Sequence, residues 1–268
     1  MKVLFLSDAH LRHRSAPSYL KLMEFLAGLE GTGNGALKTV RQTGATTDVG
    51  QRLTDVGDLY ILGDFFDFWF SSGAFVYPEF RDIVEMLADL KERGIRVHLC
   101  EGNHDFLLSD YFARQLGMEV IREWAALNLE GCRVLISHGD TVDSRNKRYL
   151  LLRSFLRSSF FYKLQKSLPI PFLWRIAQIC SCLSKEMTVE SADTMARKMR
   201  RFAQRKFKDG FDAVILGHSH KHLLEVTEVS SGVTKTLVLL GDWEQHSSYL
   251  CYEDGNFNLT NFQSAMRR

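Results

Sequence analysis

The stretch Tyr60-Ile61-Leu62-Gly63-Asp64-Phe65-Phe66-Asp67 decides the fold, because a short apolar run stops abruptly at Gly-Asp. A compact apolar run bounded by a turn signal reads as a buried strand, and a carboxylate straight after it stands at the strand's carboxyl end. The same pattern recurs. Lys2 to Ser7 leads into Asp8-Ala9-His10, and Val97 to Cys100 into Gly102-Asn103-His104-Asp105. Val134 to Ser137 leads into His138-Gly139-Asp140, and Ala213 to Leu216 into Gly217-His218-Ser219-His220. Loops that follow successive strands can converge at one sheet edge while the strands fix their positions. One histidine in such a loop is as readily structural as functional; five loops of one kind favour a shared site.

Between the strand candidates, Pro17 to Leu29 and Pro78 to Arg93 carry helical apolar spacing, the second closed by Gly94. Strand and helix alternate in the early half. The strand-rich region around Val226, Val238 and Tyr249 then favours a mixed sheet or sandwich over a simple doubly wound sheet. At 268 residues, one domain spanning 1–268 is sufficient. With 45% apolar and 25% charged residues the composition excludes a largely disordered chain. The five cysteines show no recurring metal spacing and their odd number resists a paired framework, so a reducing compartment is expected. The apolar run before Asp8 is too short for a secretory signal, which points to the cytoplasm.

Two segments depart from this order. Residues 28–57 are rich in Gly and Thr and poor in apolar side chains, which predicts a flexible surface loop. Gly31, Gly33 and Gly35 lack the lysine motif of a phosphate loop. Residues 145–208 hold 16 Lys or Arg against three Asp or Glu, while the whole chain has a net charge of only +2. The same segment carries Phe155, Leu156, Phe160, Phe161, Leu164, Phe172, Leu173 and Trp174. Charge and apolar area together predict an inserted helical cap able to meet phosphate, acyl chains or an anionic membrane surface.

Aspartate and neutral imidazole both ligate divalent metals, and one carboxylate can bridge two ions. The ordered set Asp8-Ala9-His10, Gly63-Asp64-Phe65-Phe66-Asp67, Gly102-Asn103-His104-Asp105, His138 and Gly217-His218-Ser219-His220 resembles the calcineurin-like metallophosphoesterase family over most of the chain. The resemblance implies a four-layer α/β/β/α sandwich with two divalent metal ions, Mn²⁺ being the first choice. It further implies that Asp8, His10 and His220 hold one ion, that Asn103, His138 and His218 hold the other, and that Asp64 bridges them. His104 is implied beside the phosphate, with Asp105 orienting it. The reaction implied is direct attack of an activated water on phosphorus, without a phosphorylated protein intermediate.

A narrower resemblance, to the UDP-2,3-diacylglucosamine pyrophosphatases of bacterial lipid A synthesis, runs through Tyr60 to Trp69, Asp105 to Leu108, Phe112 to Arg114 and Val134 to Thr141. It continues into the cap at Tyr149, Arg153, Arg175 to Ala177 and Ser184 to Glu186. What it implies is a nucleotide-linked acylated sugar as substrate, bound through Tyr149, Arg153, Ser184, Lys185 and Thr188, at the cytoplasmic face of the inner membrane. His104 stands where that group commonly has arginine, and Asn146, Thr188 and Ser191 stand where its cap has Asp, Asn and Lys. These departures keep another nucleotide-linked lipid or sugar open as substrate. A non-catalytic metal-binding interaction scaffold is the reading of a different class. No nucleic-acid module is visible, so neither nucleic acid nor an obligate protein partner is expected.

Overall fold

The computed structural model describes residues 1–32, 52–69, 76–167 and 191–264. One sheet holds β1 (Lys2–Leu6), β2 (Leu29–Gly31), β3 (Leu53–Leu62), β4 (Arg96–Cys100) and β5 (Glu119–Ile121). The other holds β6 (Trp124–Leu129), β7 (Cys132–Ser137), β8 (Ala213–Leu216), β9 (His222–Ser230) and β10 (Val233–Leu240). Finally, β11 (Ser248–Glu253) and β12 (Asn256–Asn261) return to the first sheet. Its order is β12-β11-β1-β3-β4-β5, with β2 paired on β3, and the second runs β6-β7-β8-β10-β9. Strands β1, β3, β4 and β5 are parallel, as are β7, β8 and β10. All seven therefore present carboxyl ends to connecting loops, where ligands gather in sheets of this kind.

Period-two alternation sorts the apolar side chains into layers. Leu4, Leu6, Leu59 and Ile61 pack under α1 (Pro17–Ala27) and α2 (Arg81–Glu92), against Leu22, Phe25, Ile83 and Leu87. Their neighbours Val3, Phe5, Tyr60 and Leu62 face the second sheet and meet Val134, Ile136, Ile215 and Val238. The outer face of that sheet, through Leu135, Val214, Leu216, Leu237 and Leu239, is covered by Ala196, Met199 and Ala203. The result is a four-layer α/β/β/α sandwich. Two further helices, α3 (Lys147–Leu156) and α4 (Ser159–Ser167), join the loop after β4 through Phe106, Leu156 and Phe161.

The fourth layer is α5 (Ala192–Lys208), which forms the carboxyl-terminal part of the segment 145–208 expected as a cap. Ala196, Met199 and Ala203 share one helix face and are fully buried against the second sheet, so this basic helix is scaffold with a solvated outer side. Residues 168–190, with the expected contacts Ser184, Lys185 and Thr188, lie outside the described residues. Within the expected 28–57 loop, Leu29 pairs with Leu53 and Gly31 with Val56, so strand pairing occupies both ends of that segment, and α1 stops at Ala27. A Cβ on Gly31 would lie 2.1 Å from the Arg93 carbonyl oxygen. That glycine permits a close backbone approach rather than a free loop; positions 33–51 lie outside the described residues.

Candidate metal centre

After β1, β3 and β8 the backbone turns sharply. Asp8, His10, Asp64, His218 and His220 all have positive φ, between 43° and 62°. Few non-glycine residues adopt this region, and each costs about 1–3 kcal/mol unless its surroundings over-determine it. Here the loops are cross-tied: Asp8 N–H donates to Gly63 O at 3.1 Å, His10 N–H to Asp64 O at 2.9 Å and Trp243 N–H to Asp8 O at 3.1 Å. The turns aim the side chains into one cluster.

Asp8, His10 and His220 offer ligand atoms within 4.8 Å of one another, and Asp64, His138 and His218 do the same. Asp64 Oδ2 is 3.8 Å from His10 Nε2 and 3.4 Å from His138 Nε2, so one carboxylate oxygen faces both groups. His220 Nε2 lies 3.6 Å from Asp8 Oδ1 and 3.4 Å from His10 Nε2, while Asn103 Oδ1 lies 3.0 Å from His138 Nε2. Metal bonds of about 2.0–2.2 Å place adjacent donors about 2.8–3.6 Å apart, close to these spacings.

The remaining oxygens show which atoms are reserved. Asp8 Oδ2 accepts from His218 N–H at 2.9 Å and Asp64 Oδ1 from His104 N–H at 2.8 Å. Asp8 Oδ1 is buried without a hydrogen-bond partner. An orphaned buried carboxylate oxygen beside imidazole nitrogens fits a divalent cation, since leaving such an atom unpaired is otherwise costly. His138 donates Nδ1–H to the Leu62 carbonyl at 2.9 Å, turning Nε2 inward. His10 Nδ1 lies 3.7 Å from Asp67, and His220 Nδ1 lies 3.7 Å from Asp242.

Burial pushes His10 down to about 3 and His218 to about 4, leaving both in the neutral, ligating form. Burial works the same way on His138 and His220, but carboxylates outweigh it. Asp64 carries His138 up to about 10, and Asp242 leads in raising His220 to about 9. Cations replacing those protons would satisfy the same carboxylates.

The geometry adds contacts to three of the expected site residues, Asp105, Tyr149 and Arg153. The Asp105 carboxylate does not reach His104: it accepts from the N–H groups of Asp64 (2.8 Å), Phe65 (2.7 Å), Phe66 (3.1 Å) and Gly102 (3.0 Å), knotting the β3 and β4 loops together. His104 instead donates Nδ1–H to the Asp67 carbonyl at 3.1 Å, and its ring meets that of His10 edge-on with centroids 5.0 Å apart. Tyr149 and Arg153, expected at the substrate, face Asp140. Tyr149 is only 3% exposed and donates its hydroxyl to Asp140 Oδ2 at 2.5 Å, while Arg153 Nε donates to the same oxygen at 2.8 Å. Asp242 and Arg157 were missed. Asp242 had a visible signal, because Leu240-Gly241-Asp242 repeats the pattern of Leu62-Gly63-Asp64. Arg157 reaches the Gly102 carbonyl and the Glu101 carboxylate and had none.

A two-carboxylate, imidazole-rich centre at the carboxyl ends of a four-layer sandwich defines a class, and the comparisons agree with it. The model of the calcineurin-like phosphoesterase family matches residues 1–222, and the chain belongs to that family of metal-dependent phosphoesterases. Among curated relatives, the UDP-2,3-diacylglucosamine hydrolase of Pseudomonas fluorescens is 26% identical over 98% of this chain and 96% of its own. The enzyme of the same name from Neisseria meningitidis serogroup B is 32% identical over 74% of this chain and 80% of its own. That from Azotobacter vinelandii is 31% identical over 79% and 88% respectively.

Proposed function

We propose that this protein hydrolyses the pyrophosphate bond of UDP-2,3-diacylglucosamine to UMP and 2,3-diacylglucosamine 1-phosphate, with two divalent cations, Mn²⁺ foremost. The observation that carries the chemistry is Asp64 Oδ2 facing both His10 and His138 between two ligand groups. Asp8, His10 and His220 would hold one cation, Asn103, His138 and His218 the other, and Asp64 both. Such ions supply Lewis acidity toward phosphoryl oxygens and a nucleophilic water at neutral pH. His104 is buried with Nδ1 donating to the Asp67 carbonyl and its ring edge-on to that of His10, and beside the metal ligands it would stabilise charge on phosphate or protonate the leaving oxygen.

The substrate reading draws support from the named relatives and from the outer face of α3 and α4. Leu151 is 74% and Phe160 is 67% exposed there, with Phe155 and Leu164 also open to solvent and Lys147, Arg148 and Lys163 among them. Apolar and basic side chains so mixed suit acyl chains and an anionic surface, each buried CH₂ adding about 0.8 kcal/mol. Among the described residues no helix is long and apolar enough to cross a membrane. The location we propose, from the named relatives and the mixed basic and apolar face of α3 and α4, is peripheral, on the cytoplasmic side of the inner membrane.

The test is a matched panel: this nucleotide lipid, its deacylated form, other nucleotide-linked sugars and simple phosphate esters, with products resolved. Formation of UMP and lipid monophosphate, with kcat/KM falling sharply on deacylation, supports the reading. Efficient cleavage of several headgroups without an acyl effect selects a broad phosphodiesterase instead. No turnover of any phosphate compound by metal-loaded protein would favour a non-catalytic interaction scaffold.

A further inference from the structure

Helix α3 and Arg157, the residue that caps its carboxyl end, direct three side chains at the ligand loops. Tyr149, Arg153 and Arg157 recur every fourth residue and so share one helix stripe. The first two converge on Asp140 Oδ2, as described, and Arg153 also reaches Glu123 at 3.4 Å and the Arg122 carbonyl at 3.5 Å. Asp140 is buried and stands two residues after His138. One turn on, Arg157 Nη2 donates to the Gly102 carbonyl at 2.6 Å and Nε to Glu101 Oε2 at 3.4 Å. Its guanidinium lies 5.3 Å from the Phe106 ring centroid. The other Glu101 oxygen accepts from Leu108 N–H at 3.1 Å. Arg157 thereby gathers both ends of the loop that carries Asn103 and His104.

The other ligand group has partners of its own, although Asp8 Oδ2 also accepts from His218 N–H. His10 is flanked by Asp67, whose carboxylate is paired with Arg12 at 3.1 Å; His220 is flanked by Asp242, and Asp8 is tied to the Trp243 backbone. The division falls between the two halves of the centre. Charge-assisted bonds among buried groups are the strong ones, and contacts that orient metal ligands typically change metal affinity about 10–100-fold when removed.

We propose that Tyr149, Arg153 and Arg157 are positioning residues that brace one metal site, that of Asn103, His138 and His218, and reach the site of Asp8, His10 and His220 only indirectly, through the shared Asp64 and the Asp8–His218 contact. The proposal rests on the two-ion reading above.

Calorimetric Mn²⁺ titration of the full chain reads both sites without relying on turnover. Arg157→Lys keeps the charge but loses the planar fork that spans Gly102 and Glu101. Tyr149→Phe keeps the ring and removes only the hydroxyl, so it carries the test should the arginine variant fold poorly. The expected result is one class of Mn²⁺ weakened about 10-fold or more in Arg157→Lys, and weakened less in Tyr149→Phe, with the other class within about twofold of wild type. Asp242→Asn is expected to weaken the opposite class. Saturating Mn²⁺ should restore most of the kcat lost in the brace variants. Equal weakening of both classes, or unchanged binding in both brace variants, would overturn the brace. Wild-type protein binding fewer than two Mn²⁺ would overturn the two-ion reading and the brace with it.

Discussion

His104 joins the β4 loop to the cluster: its amide donates to Asp64, and its imidazole donates to the Asp67 carbonyl. Removing the ring leaves the amide in place. His104→Ala should therefore retain both cations while kcat falls about 10²-fold or more, the usual scale for a lost acid or charge-stabilising group. Metal content and steady-state kinetics on one preparation decide it, and normal turnover at full occupancy would reject the role. The seven proposed ligands were legible at this scale because each follows an apolar run closely enough to stand at a strand end. The work of Asp105 was not. Its four partners are backbone amides of Asp64, Phe65, Phe66 and Gly102, and nothing in a side-chain pattern shows which amides a fold will leave unpaired. Tyr149 and Arg153 were conspicuous as residues, yet only the geometry shows that Asp140 occupies them.

The glycines at the strand ends set how closely the loops approach. A Cβ on Gly102 would stand 2.2 Å from Asp64 Oδ1 and 2.4 Å from Asp64 N, so the bridging carboxylate itself would have to move. Gly102→Ala is expected to lose on the order of 1–3 kcal/mol of stability and to weaken Mn²⁺ binding at the same time. Gly255→Ala is the control: its φ of +79° is strained for alanine, but nothing lies within 4 Å of the added carbon. That variant should melt earlier with metal affinity and kcat unchanged, and equal effects of the two on metal affinity would count against the close-approach account. Gly31 shows how such positions mislead. Glycine next to more glycine read as loop freedom, whereas the structure uses it to pass the Arg93 carbonyl beside β2. The basic helix α5 is read in the same way: its charges dominate the composition while Ala196, Met199 and Ala203, with Met195, Phe202 and Phe207 beside them, do the packing.

Over the whole molecule the net charge of +2 conceals a basic run between 145 and 208, part of which α3 and α4 present beside exposed Leu151, Phe155 and Phe160. Folded protein should float with anionic vesicles more than with neutral ones, and the difference should shrink as salt is raised from 0.05 to 0.5 M. Replacing Leu151 and Phe160 by glutamate should abolish flotation; absence of binding to both vesicle types would favour a soluble substrate. The central claim is that one two-ion centre, bridged by Asp64, carries the reaction on the nucleotide lipid. Its most direct measurement is product-resolved hydrolysis of UDP-2,3-diacylglucosamine by wild type and Asp64→Ala, each stripped of metal and then reloaded with Mn²⁺. UMP and lipid monophosphate should form only with reloaded wild type, and Asp64→Ala should be at least about 10³-fold slower. Robust turnover by the stripped enzyme, or equal turnover by Asp64→Ala, would contradict it.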